Sequence, residues 1–228
     1  MNRMKFLKAA VAVSALVLSA VSFAQQSSWP SKTITMVVPF AAGGSTDITA
    51  RMLAEKLTPI LGQSVIVDNK AGAAGNIAGA FVARANPDGH TILLSTSTMT
   101  ANVSLYKDMG FNVQKDLAPV SQVALIPNVL MVNSEFQAKT LKEFIDLVKQ
   151  KKVAINYGSS GSGASNHLAG VLFNNLAGGD MVHVPYKGGS LANNDLLAGQ
   201  IQAVFAPMVE VLGYLESGKL RPLAVTTK

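Results

Sequence analysis

The chain has 228 residues, 49% hydrophobic and 14% charged, with 19 glycines, no cysteine and a formal charge of +6. The low charge and high apolar content exclude an intrinsically disordered chain. The missing cysteine excludes a disulfide scaffold, a zinc ribbon and thiolate chemistry.

The first 24 residues read as an export signal. Arg3, Lys5 and Lys8 form a positive start, Ala9 to Val21 is an uncharged apolar run, and Ser22-Phe23-Ala24 offers small residues for cleavage. The run is short for a membrane span, and no Cys follows it to carry a lipid. Cleavage near Ala24 would remove three of the 19 basic residues and lower the net charge from +6 to +3. A balance that small, without Lys/Arg clusters, argues against nucleic acid. The one tight basic group, Lys149, Lys151 and Lys152, suits a solvated helix end.

Thr33 to Phe40 is a β-branched, apolar run and reads as a buried strand. The turn Ala41-Ala42-Gly43-Gly44 follows, with Ser45, Thr46 or Asp47 as N-cap of a helix that Gly62 ends. Arg51 and Glu55 fall on its outer face, four residues apart. Val65 to Val67 is a second strand, ending in Asp68-Asn69. A second glycine-rich turn, Ala71 to Asn76, opens a helix to about Ala85. Thr91 to Ser95 is a third strand. The βαβαβ order announces a parallel sheet covered by helices.

After a looser stretch, Thr96 to Ala118, the pattern restarts. Val120–Leu125 and Val129–Val132 read as strands, and Thr140 to Glu143 as a capping box heading a helix to about Lys149. Val153–Tyr157 is a strand, Gly158 to Gly163 a third glycine-serine turn, and Ala164–Leu176 a helix. Val182–Val184 is a strand followed by the turn Pro185 to Gly189, and Ser190 can cap a helix through Ala198. Ile201–Phe205 and Leu223–Val225 are strands with a helix at Val209–Glu216 between them. Two α/β units are therefore expected, 25–120 and 121–228, with a cleft at the carboxyl ends of their strands. The sequence stops inside element-like residues, Thr226-Thr227-Lys228, so the chain is expected to be incomplete at its C-terminus.

Three glycine-rich turns, each between a strand and a helix, are expected to face that cleft. A helix N-terminus offers unpaired N–H groups and partial positive charge, and glycine lets a ligand approach the backbone. Such turns suit carboxylate or phosphate. Taken singly, each turn is explained by a tight strand-to-helix connection; the recurrence in both units favours anion binding.

Enzymatic fingerprints fail. Asn166 stands where a dinucleotide-binding loop needs Gly or Ala, and Ala164-Ser165 replaces the Lys-Ser/Thr of a P-loop. No nucleophile elbow is present. His90, His167 and His183 show no metal-ligand spacing, and no metal or cofactor is expected. His167 lies one turn into its helix and either faces the cleft or braces the turn. Tyr186 is either a core edge or a ring closing over a ligand.

Together these segments resemble the substrate-binding proteins of tripartite tricarboxylate transporters, the Bug family. Pro39-Phe40-Ala41-Ala42-Gly43-Gly44-Ser45-Thr46-Asp47 with Arg51 is similar to that family's first loop. Asn69 to Gly75, Pro87 to Thr91, Tyr157 to His167 and Val184 to Gly188 resemble four further motifs, in order. Lys70-Ala71 and Ala164 depart from the commoner family residues. The resemblance implies a two-lobed α/β periplasmic binding protein of type II, each lobe a mainly parallel sheet flanked by helices. It implies a non-catalytic, monomeric carrier of a small carboxylate, docking on a permease with one large and one small membrane subunit. The implied ligand residues are Phe40, Ala41, Gly43, Gly44, Ser45, Thr46, Asp47, Gly72, Ala73, Gly75, Asn76, Ser159, Gly161, Gly163, Ser165, His167, Pro185, Tyr186 and Gly188. Two rivals remain: an exported hydrolase using Ser160 or Ser162 with His167, and a non-functional fragment of the binding protein.

Overall fold

The computed structural model describes residues 29–151 and 153–227. The expected export segment lies outside them, as does Lys152. Among the described residues no helix is long and apolar enough to cross a membrane.

The first sheet has three parallel strands, β1 (Ile34–Val38), β2 (Val65–Asn69) and β3 (Thr91–Leu93), in the order β2-β1-β3. Ile34, Met36, Val37 and Val38 of the central strand are buried, as expected of a strand covered on both faces. Helix α1 (Ser45–Leu61) connects β1 to β2 and lays Ala50 and Ala54 against Ile34, Met36, Val38 and Val65. Gly62 ends it in a left-handed conformation, its N–H on the Thr58 carbonyl. A single 3-10 turn (Ala73–Gly75) precedes α2 (Asn76–Ala83). After β3 come α3 (Ser97–Leu105) and the short α4 (Val113–Asp116).

The second sheet has five strands: β4 (Asn128–Asn133), β5 (Asn156–Ser159), β6 (Val182–Pro185), β7 (Ala203–Pro207) and β8 (Leu220–Val225). Their order is β6-β5-β7-β4-β8, with β4 antiparallel to both neighbours and β5 parallel to β6 and β7. Helices α5 (Leu141–Gln150), α6 (Ser165–Ala177), α7 (Gly189–Leu197) and α8 (Met208–Glu216) cover it. The alternation of β4 builds a core on each face. Leu130 and Val132 join Phe144, Tyr157 and Phe205, while Val129 and Met131 join Leu196, Val204 and Val211.

Several expectations change. Val120–Leu125 is not a strand: Val120 is 92% and Leu125 85% exposed. A β-branched run is a strand only where a ladder partner meets it, and none does among the described residues. The loose stretch contains α3, which lacks an apolar stripe and buries Thr98, Met99 and Asn102. None of Ser45, Thr46 and Asp47 is the N-cap of α1; Gly44 takes that place without a side-chain cap. Gly188, not Ser190, caps α7. The capping box of α5 is present, with Thr140 Oγ1 accepting the Glu143 N–H and a Glu143 carboxylate oxygen accepting the Thr140 N–H.

Candidate functional site

The β1–α1 turn is held by Asp47. Its carboxylate accepts the Gly43 N–H at 2.9 Å and faces Arg51 through both oxygens at 2.9 and 3.0 Å. Asn69, at the end of β2, donates to the same carboxylate and to the Phe40 carbonyl, both at 3.0 Å. Burial raises the Asp47 pKa, but Arg51, the Gly43 N–H and Asn69 outweigh it, and the carboxyl sits below its usual range. Arg51 therefore pairs inward with Asp47 rather than with Glu55, whose ion pair is with Lys56.

The second turn is conformationally strained. Ala73 (φ 46°), Ala74 (φ 51°) and Gly75 (φ 93°) follow one another in left-handed geometry. This costs about 1–2 kcal/mol for each non-glycine residue, and it persists only where neighbours enforce it. Asn102 of α3, fully buried, supplies that enforcement by donating to the Ala74 carbonyl at 3.0 Å and to Asn76 Oδ1 at 2.8 Å. A Cβ on Gly75 would lie 2.9 Å from Pro39 Cβ, so the first two turns pack side by side. Asn76 Nδ2 is buried without a hydrogen-bond partner.

The third turn is braced from within the second sheet. Ser159, fully buried, accepts the Gly161 N–H at 3.1 Å and lies 2.6 Å from His183 Nε2. Asn166 Oδ1 accepts the Ser160 N–H and hydroxyl, and His167 Nδ1 accepts the Gly163 N–H at 3.0 Å. The Ala164 N–H goes to the Gly161 carbonyl. The N–H groups of Gly161, Gly163 and Ala164, expected to face a ligand, are thus committed to the loop itself. The rings of His167 and His183 stack with centroids 4.0 Å apart. Burial lowers both imidazole pKa values, and with the neighbouring His167 it brings His183 down to about 4. His167 takes the bracing position.

All four turns meet at one seam between the sheets. The Ala41 N–H donates to the Lys187 carbonyl at 3.1 Å, and the Ser190 hydroxyl to the Ala42 carbonyl at 3.0 Å. A Cβ on Gly188 would come within 2.9 Å of Ala41 Cβ, and one on Gly163 within 2.5 Å of Leu105 on α3. The Ser45 N–H donates to Glu210 Oε1 at 2.6 Å. Phe40 and Thr46 are buried beside the first turn, Ser165 is exposed on the third, and Pro185 is exposed at the end of β6. Tyr186 is a core edge: its ring packs in the second sheet's core and its hydroxyl donates to Asp195 at 2.5 Å. Burial and then Asp195 push its pKa up to about 12. A shallow apolar groove of about 500 Å³ lies elsewhere, along Ile77, Ala80, Phe81, Arg84 and Ala85.

The arrangement does not build a serine nucleophile. Ser160 is bound to Asn166, Ser162 is exposed, and the close Ser–His contact joins Ser159 and His183, which lie beneath the turn. A triad needs an accessible hydroxyl and an acid orienting the imidazole; Ser159 is fully buried, and among the described residues neither histidine contacts a carboxylate.

Asn69, Asn102, His183 and Glu210 were not singled out from sequence as site residues. Glu210 was visible only as an acidic residue in an otherwise apolar helix start. Asn102 sits in a segment without periodicity, and nothing in the sequence pointed to it.

Two sheets whose strand-to-helix turns converge on one seam define a two-lobed α/β binding protein. Residues 49–228 match the tripartite tricarboxylate transporter family receptor, and the chain belongs to that family. It is similar to the periplasmic binding protein BugD, with 38% identity and a TM-score of 0.80 over 87% of this chain and 67% of that one. It is also similar to R. palustris Rpa4515 with adipate (36%, TM-score 0.84, 87% and 67%). A third likeness is to MatC of Rhodopseudomonas palustris with bound malate (32%, TM-score 0.80, 88% and 68%). The curated relatives that match most of the chain are 32–38% identical, and the chain spans 59–66% of their length.

Proposed function

We propose that this chain is the receptor part of a carrier that captures a small carboxylate between its two lobes. The observation that carries this reading is the meeting of three glycine-rich strand-to-helix turns, from both sheets, at one seam. Backbone N–H groups there recognise an anion without a charged side chain. Ala42 on one side and Ser162 on the other have N–H groups with no backbone acceptor among the described residues, and Asn76 Nδ2, on the second turn, is buried without a hydrogen-bond partner. These groups, with Thr46 and the strained Ala73–Gly75 turn, form the ligand shell. Asp47, Ser159 and His167 position the loops. Phe40, Ala41, Gly43, Gly44, Ser45, Gly161, Gly163, Ser165, Pro185, Tyr186 and Gly188 complete the walls. The relatives that hold adipate and malate support a carboxylate ligand.

Lobes that part and close by a hinge would admit and enclose the ligand. The remaining elements of the proposal are export through residues 1–24, lobes of 25–120 and 121–228, a monomeric state, and delivery to a permease of one large and one small membrane subunit. Calorimetry and thermal shift of the purified full chain against adipate, malate, citrate, aspartate and benzoate test the reading. A true ligand at 100 times its Kd should stabilise the fold by about 2.7 kcal/mol. A folded protein that responds to none of these anions would overturn it.

A further inference from the structure

The carboxylate of Glu210 joins the seam through Ser45 but takes no part in the networks that Asp47, Asn102 and His167 build within the turns. It stands in the first turn of α8, on the second sheet's side of the seam, and reaches across to the first. Oε1 accepts the Ser45 N–H at 2.6 Å, and Oε2 accepts Asn193 Nδ2 at 3.1 Å. Its flanks are glycines. A Cβ on Gly189 would lie 2.3 Å from Oε2, and one on Gly44 3.5 Å from Oε1. Only a residue without a side chain at 189 leaves room for the carboxylate.

Both hydrogen-bond partners are neutral amides, one of them the first N–H of α1. A helix start stabilises negative charge there. Burial raises the Glu210 pKa, against the hydrogen bonds from Ser45 and Asn193 that lower it, so holding this group at the seam costs stability. The chemistry is what a bound ligand's carboxylate would receive, and the protein's own side chain receives it. A second negative group brought alongside would be repelled, strongly so in a partly dry cleft.

Resting on the carboxylate-binding reading above, we propose that Glu210 is a selectivity residue of the cleft. It fills the anion position at the start of α1 and turns away ligands that present a second carboxylate there. The ligands favoured carry one carboxylate, and their end beside α8 is uncharged or cationic.

The test compares matched pairs that differ in one group: succinate with succinamate, and adipate with its monoamide. Calorimetry at pH 7.5 uses the full chain and its Glu210→Gln and Glu210→Ser variants. Gln keeps the size and an oxygen for the Ser45 N–H but loses the charge; Ser empties the position. The original chain should prefer the monoamides, and in either folded variant that preference should fall about tenfold or more, the scale of a like-charge contact removed. Binding of both pair members with a ratio unchanged within about twofold would overturn this role and leave the carboxylate reading standing. No binding to any of the three proteins, each shown folded by its amide spectrum, would overturn both.

Discussion

Acid should weaken the third turn through His183. In the folded chain the ring is half-buried, 2.6 Å from the Ser159 hydroxyl, stacked on His167 at 4.0 Å and 5.2 Å from the Tyr157 ring. Burial first, and the His167 charge second, bring its pKa from 6.5 down to about 4. Unfolded, it titrates near 6.5, so between these values the unfolded chain binds a proton that the folded chain does not. The slope of stability with pH is therefore positive. The contribution is fully present above about pH 6.5 and is lost as the pH falls to about 4. The whole shift corresponds to roughly 3 kcal/mol, and solvent screening of a half-buried ring reduces this to about 1–2 kcal/mol. His167 shifts in the same direction and adds to the effect. Urea melts of the full chain and of His183→Gln at pH 7.5, 6.0 and 4.5 isolate it, because every other titrating group is shared. The original chain should lose about 1–2 kcal/mol more than the variant between the two ends of the range. Parallel losses, within about 0.5 kcal/mol, would refute the assignment of the acid sensitivity to this histidine.

Asp47→Ala strips partners from Gly43, Arg51 and Asn69 at once, and should cost about 1–3 kcal/mol in a urea melt while weakening carboxylate binding. Gly170→Ala would place a Cβ 2.1 Å from Cε2 of the fully buried Tyr157, so overpacking should cost about 1–3 kcal/mol or more in the same assay. The contrasting Gly213→Ala, inside α8 with nothing within 4 Å of its Cβ, should stabilise by about 0.5–1 kcal/mol.

The local order of the fold was legible because its signals are local. The β-branched run before Gly43, the Gly62 stop and the Thr140–Glu143 capping box each act within a few residues. The turns themselves were equally visible, since glycines at strand ends announce them. What the turns' amides bind was not, because residue spacing does not show which side chain turns back to accept them. Gly43 and Gly163 give their N–H groups to Asp47 and His167, each four residues on. Ser45 gives its own to Glu210, 165 residues away. A pairing across 165 residues leaves no periodicity to read. The same reason explains α3, whose buried Asn102 is polar because it must hold the Ala74 carbonyl rather than fill a core. It also explains Val120–Leu125, whose composition says nothing of whether a ladder partner meets it.

Amide spectra recorded while the tightest-binding carboxylate is titrated into the full chain test the central claim most directly. The largest shifts should fall on Ala42–Thr46, Gly72–Asn76 and Gly161–Ser165 together, from both lobes. Shifts confined to the groove along Ile77, Phe81 and Arg84, or to one lobe alone, would contradict a carboxylate held between the turns.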